Sequence, residues 1–209
     1  MNLDPSFKKV LDDYDKRLND ENHLMKSLSG IDAMKRRDEF LLPVGEDAAI
    51  FMNTLIKAAK SKSILEIGTS YGYSTLWLAE AARTNGGKVI TLENNLDKMM
   101  YAKDKISKAG LSKFVDFRLG DALLNIKNAK ETFDFVLLDL WKELYVPCFN
   151  LFSSKLNDGA WVLGDNMIFP PISKKESEAY QNIIRTKEAF TSILLPIGSG
   201  IEVSQYHSR

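Results

Sequence analysis

The chain has 209 residues, a length at which one domain removes roughly 70% of its unfolded surface from water. Its 28 basic and 28 acidic residues cancel, so charge offers nothing to nucleic acid or to a membrane surface, and neither is expected as a partner. Cys148 is the only cysteine, which excludes an internal disulfide and suits a reducing compartment. The stretch from Met1 to Lys9 has no apolar core of the signal-peptide kind, and no run approaches the ~18 apolar residues of a membrane span. A cytoplasmic globular protein is therefore expected.

In chain order, residues 5–29 carry Phe7, Val10, Leu11, Tyr14, Leu18 and Met25 at helical spacing, closed by Gly30. Residues 31–40 are highly charged and read as a solvated face. Residues 41–45 are extended, and 46–60 form a helix expected to turn Ile50, Phe51, Leu55 and Ile56 inward. From there strands and helices alternate. Strands are expected at 63–67, 88–93, 114–119, 133–138 and 160–163, with helices at 73–82, 95–109, from 122, at 143–153 and at 174–190. Asn157-Asp158-Gly159 reads as the turn before the fifth strand, and two last strands fall near 191–196 and 200–206. Alternation with apolar strands implies an α/β fold, a mostly parallel sheet covered by helices on both faces.

The chemistry concentrates where the strands end. Ile64, Leu65 and Ile67 run into Gly68, and the pattern Glu66-x-Gly68-x-x-x-Gly72-x-Ser74 opens a helix. It is neither the three-glycine dinucleotide fingerprint nor a phosphate loop. An acid inside the strand end suits a ligand carrying an ammonium, a carboxylate and a ribose rather than a pyrophosphate; the plainer alternative is a strand-to-helix turn. The other strands end at Glu93, at Gly120-Asp121, at Asp139 and at Asp165-Asn166. In such sheets ligands bind outside the carboxyl ends of the strands. Glu93, 25 residues past Gly68, stands where a ribose-binding acid is expected, and Asp121 or Ala122 should meet the adenine. Asp139, Asp165 and Asn166 offer hard oxygen ligands with no histidine or cysteine near them in sequence, which favours Mg²⁺, Mn²⁺ or Ca²⁺. Capping and turn roles for the same residues remain the alternative.

The Glu66-x-Gly68-x-x-x-Gly72 pattern resembles motif I of S-adenosylmethionine-dependent methyltransferases. The stretches from Val136 to Tyr145 and from Leu163 to Pro170 resemble the metal and catalytic motifs of catechol and caffeoyl-CoA O-methyltransferases, including small bacterial ones. That resemblance runs from about residue 40 onward. It implies a Rossmann-like class I methyltransferase fold, a seven-stranded sheet with its last strand antiparallel, in a single domain over residues 1–209 whose first 40 residues form a helical cap. It implies S-adenosylmethionine held by Val44, Glu66, Gly68, Ser70, Gly72, Ser74, Glu93, Asp121, Ala122, Asp139 and Trp141, with Trp141 against the adenine. Asp139, Asp165 and Asn166 are implied as metal ligands, Lys142 as general base, a catechol-like phenol as acceptor, and a homodimer as the assembly. Leu140 replaces the histidine of the catechol enzyme, and Phe169-Pro170-Pro171 replaces a tryptophan and glycine common in bacterial relatives. An acceptor at nitrogen or at a lone hydroxyl without metal, and a silent cofactor-binding or oligomer-forming protein, are the competing readings.

Overall fold

The structure, a computed structural model, describes residues 3–29, 32 and 35–208. Helix α1 (Pro5–Ser27) starts at Asp4, whose carboxylate accepts from the Ser6 N–H at 2.8 Å, and ends where Leu28 turns extended. Gly30 and Ile31, to which the expected helix end and charged stretch extended, lie outside the described residues. After α2 (Glu46–Ala59) come β1 (Ser63–Ile67), α3 (Tyr73–Asn85), β2 (Lys88–Glu93), α4 (Leu96–Lys108), β3 (Val115–Leu119) and α5 (Ala122–Asn128). The chain continues through β4 (Phe133–Leu138), α6 (Tyr145–Phe152), β5 (Leu156–Gly164), α7 (Lys174–Thr186), β6 (Phe190–Leu195) and β7 (Ile201–Tyr206).

The seven strands form one sheet in the order β3-β2-β1-β4-β5-β7-β6. The first five pair in parallel, and β7 runs antiparallel to both β5 and β6. This is the expected seven-stranded sheet with its last strand reversed. Alternate residues of β4 serve opposite faces: Phe135 and Leu137 join the core under α1 to α4, while Val136 and Leu138 join the core under α5 to α7. Burial on both faces is why these strands read as continuous apolar runs.

Two expectations need correction. Helix α2 buries Ala48, Ala49, Met52, Asn53 and Ile56, while Ile50 is exposed. The inner stripe includes a polar residue, because the Asn53 amide donates to the Trp77 carbonyl (2.9 Å) and to Glu80 (2.7 Å). Asn157-Asp158-Gly159 is not a turn before β5 but an irregularity within it. Phe133 pairs with Leu156 and Phe135 with Trp161, so two steps on β4 face five on β5. Asp134 holds the excursion by accepting from the Asn157 amide at 2.7 Å.

Helix α1 is fastened to the loop after β1. Phe7 meets Trp77 edge-on with centroids 5.0 Å apart, the Tyr14 hydroxyl donates to the Tyr71 carbonyl (2.7 Å), and the Arg17 guanidinium lies 3.8 Å from the Tyr71 ring centre. Arg17 also donates to the Glu39 carbonyl, and Glu21 accepts from the Leu41 N–H at 2.6 Å. The segment at 39–41 is therefore held down, with Phe40 and Leu41 buried, while the charged Lys35, Asp38 and Glu39 stay exposed as expected of a solvated face. No helix among the described residues is long and apolar enough to cross a membrane. Tyr14→Phe keeps the ring and removes the tie to Tyr71, so it should lower stability by about 1 kcal/mol. Urea titration should show an earlier midpoint with an unchanged slope.

Candidate functional site

The carboxyl ends of β1 to β4 open on one cavity of about 320 Å³, at the switch point where the sheet order runs outward from β1 in both directions. Gly68 forms its floor with a φ of 109°, and a Cβ there would overlap the Asp139 carbonyl oxygen. The turn after β1 thus rests against the end of β4. Ser70 donates its N–H to Glu93 at 2.7 Å, and the N–H groups of Asn94 and Asn95 reach the other Glu93 oxygen at 3.0 and 2.9 Å. One carboxylate joins the loops after β1 and β2 while lining the cavity. Of its roughly four acceptor sites about one stays open to a ligand.

Glu66 does not line the cavity. It is fully buried behind it and accepts from the hydroxyls of Ser74 (2.6 Å), Thr75 (2.5 Å) and Thr91 (2.6 Å). Burial pushes its carboxyl up to about 7, against the pull of the three hydroxyls. Its visible effect is to hold the first turn of α3. Ser74, Gly72 and Val44 line an adjoining narrow recess that shares Gly68, Ser70 and Asp139 with the cavity. Asp121 caps α5, accepting from the Leu124 N–H at 2.8 Å, and lines the cavity with Gly120 and Ala122.

The far end of the cavity is formed by Asp139, Leu140, Trp141 and Asn166. Trp141 is 52% exposed, an unusual position for the largest side chain unless a flat partner lies against it. The Asp165 N–H donates to the Leu138 carbonyl at 3.0 Å, which keeps the ends of β4 and β5 level. Asp165 is 1% exposed, and its Oδ1 is buried with no hydrogen-bond partner; its Oδ2 accepts from the Asn166 amide at 3.0 Å. Burial and the Asp139 carboxylate push the Asp165 carboxyl well up. Lys142, buried to 8% exposure, points its Nζ at Asn166 Oδ1 (3.0 Å) and at the Tyr145 hydroxyl (2.5 Å).

Among the described residues no three His, Cys, Asp or Glu side chains gather to hold an ion. The set here is two acids and an amide. An orphaned buried carboxylate oxygen beside a second acid and an amide oxygen is a donor set that fits a hard divalent cation.

The family model described as O-methyltransferase matches residues 16–203. The chain belongs to the O-methyltransferase family. It is 31% identical over 172 residues to catechol O-methyltransferase B of Danio rerio, covering 79% of this chain and 63% of that protein. It is 27% identical over 182 residues to a caffeoyl-CoA O-methyltransferase of Petroselinum crispum, covering 77% and 75%. The chain spans less than two-thirds of the length of the catechol O-methyltransferases that it matches. In fold it is similar to an O-methyltransferase from Bacillus cereus in complex with SAH, with a TM-score of 0.76 at 24% identity, over 99% of this chain and 92% of that one.

Sequence reasoning missed several residues of this family member's cavity. Asp38, Phe40 and Leu42 form a strap along one side, and the Lys98 ammonium pairs with Asp38. Lys98 lies one turn inside α4, three residues after its cap Asn95, so helical register alone brings it to the site. Nothing comparable marks the strap, whose place depends on α1.

Glu66 also sets a pH dependence. Its folded value lies above that of a free carboxyl, so its contribution is fully present below about 4.5 and is lost as pH rises through about 7. Glu66→Gln can keep the three hydroxyl contacts, because each hydroxyl can turn. The variant should therefore gain stability relative to wild type between pH 5 and pH 8, by a few kcal/mol at most. Paired chemical denaturation curves check this; a difference that is flat across the range would assign Glu66 an ordinary carboxyl.

Proposed function

We propose that this chain transfers a methyl group from S-adenosylmethionine to a hydroxyl of a small catechol-like acceptor, with a divalent ion held by Asp139, Asp165 and Asn166 and with Lys142 as general base. The reading takes residues 1–209 as one cytoplasmic unit with the first 40 as its cap; a homodimer rests on the family resemblance alone. The observation that carries it is the sharing of one cavity by Glu93, Asp139, Trp141 and Asn166, with the Lys142 amine 3.0 Å from Asn166 Oδ1 behind that wall. A donor and an acceptor bound there lie side by side.

Each residue then has a task. Glu93 accepts from a ribose hydroxyl through its open acceptor site. Asp121 and Ala122 border the adenine, with Trp141 against its face and Leu140 as an apolar contact. Gly68, Ser70 and Gly72 bring backbone close to the methionine end, with Val44 and Ser74 in the recess beside it. Glu66 acts from behind, by fixing α3.

Bound S-adenosylmethionine supplies an electrophilic methyl group. A divalent ion bound by the two acids and the amide would lower the pKa of an acceptor hydroxyl and orient a vicinal pair. Lys142 accepts the hydroxyl proton at Nζ, and Asn166 Oδ1 and the Tyr145 oxygen then receive N–H bonds from the ammonium. The apolar walls at Phe40, Leu42 and Leu140 exclude water, which aligned in-line displacement requires.

Two outcomes check this reading. Calorimetry should find S-adenosylhomocysteine bound by wild type and bound roughly 1.5–3 kcal/mol more weakly by Glu93→Gln, the range for a hydrogen bond to a charged group. Unchanged affinity would take Glu93 out of the ligand's reach. Turnover of a catechol should stop in excess EDTA and return with Mg²⁺ or Mn²⁺, while S-adenosylhomocysteine still binds. Full turnover in chelator would sink the divalent-ion role and leave a metal-free acceptor chemistry.

A further inference from the structure

The Tyr145 hydroxyl does more than receive a bond from the Lys142 amine, because the backbone and a second ring fix where it stands. Tyr145 is fully buried on the first turn of α6, its ring held edge-on by Tyr180 with centroids 5.5 Å apart. Its hydroxyl donates to the Leu138 carbonyl at 2.7 Å, with the Asp165 carbonyl 3.2 Å away. That proton is committed to the backbone, so the oxygen presents its lone pairs the other way. There it meets Lys142 Nζ at 2.5 Å, and the same Nζ lies 4.1 Å from the Tyr145 ring centre.

Lysine carries four flexible bonds, and a base on such a stem loses effectiveness unless its amine is held. Asn166 Oδ1 at 3.0 Å and the Leu140 carbonyl at 3.4 Å also accept from Nζ. The first is a proposed ion ligand and the second is at the limit of a hydrogen bond. Neither anchors the amine independently of the ion.

We infer that Tyr145 is a positioning residue for methyl transfer: its hydroxyl, fixed by the Leu138 carbonyl and by packing against Tyr180, sets where the Lys142 amine stands beside the acceptor. The inference rests on the reading of Lys142 as the base. A purely structural role is the competing account, in which the hydroxyl ties the ends of β4 and β5. The Leu138 carbonyl also accepts from the Asp165 N–H at 3.0 Å, so that tie survives loss of the hydroxyl.

Single-turnover methyl transfer to a catechol, with S-adenosylmethionine affinity measured by calorimetry, separates these accounts in wild type, Tyr145→Phe, Lys142→Met and the double variant. Lys142→Met should slow the step about 10²–10⁴-fold, the usual worth of a general base. Tyr145→Phe should slow it about 10–100-fold, as misplacement of a reacting group does, with S-adenosylmethionine affinity unchanged. In the Lys142→Met background the tyrosine substitution should have no further effect, because the amine it positions is gone. Its loss should also be smaller for acceptors with more acidic hydroxyls.

A wild-type rate in Tyr145→Phe overturns the inference, and so does a double variant slowed by the product of the two single effects. A Tyr145→Phe chain that fails to fold overturns it too, since the hydroxyl would then be holding strands rather than the amine. If Lys142→Met keeps the wild-type rate, the base reading itself fails. A slow Lys142→Met beside a fast Tyr145→Phe removes only the role of Tyr145.

Discussion

The contact between Gly68 and the Asp139 carbonyl is the constraint on which the site depends. Neighbouring parallel strands run about 4.8 Å apart, and their following turns usually diverge. Here the turn after β1 leans across the end of β4 so closely that no side chain fits at position 68. Asp139 and Trp141 then leave β4 lining the same cavity as Gly68 and Ser70. Glu93, which takes the Ser70 N–H, fixes the other side of that loop. The cavity is therefore bounded by backbone held at both ends.

Two buried carboxylates near this contact are treated in opposite ways. Glu66 is surrounded by three hydroxyls, each able to donate or to accept, so it can be accommodated in either protonation state. Asp165 has an amide on one oxygen and nothing on the other, with Asp139 nearby. An acid pair so placed is costly by itself, and positive charge beside it would offset that cost. That asymmetry supports a cation for the Asp165 group and a scaffolding task for Glu66, although both acids stand at the carboxyl end of an apolar strand.

The parallel strands were legible because burial on both faces leaves apolar runs of strand length, and the acids at their ends were legible from position alone. Glu66 shows the limit: sequence places it at a strand end but does not say that Ser74, Thr75 and Thr91 will enclose it. On the inner face of α2, Ile56, Phe51 and Leu55 pack on the core as their spacing implies and Ile50 does not, while Asn53 lies inward through a bond to a residue 24 positions away that no local pattern marks. The strap at 38–42 was obscured for a similar reason. Its charges suggest solvent, and only the docking of α1 through Arg17 and Glu21 presses it against the cavity. Tyr145 stood inside a recognised motif, yet its hydroxyl acquires meaning only from the Leu138 carbonyl above it.

The excursion at Asn157-Asp158-Gly159 has a consequence at the opposite end of β5. Continued from the Phe133–Leu156 pairing without it, the strand would bring Asp165 out three residues beyond Asp139, roughly 10 Å along the sheet. The three surplus residues are taken up early, so Leu138 instead pairs with Gly164 and the two acids emerge abreast. A change of length in that distant loop would act as a phase shift, separating Asp139 from Asp165 without touching either.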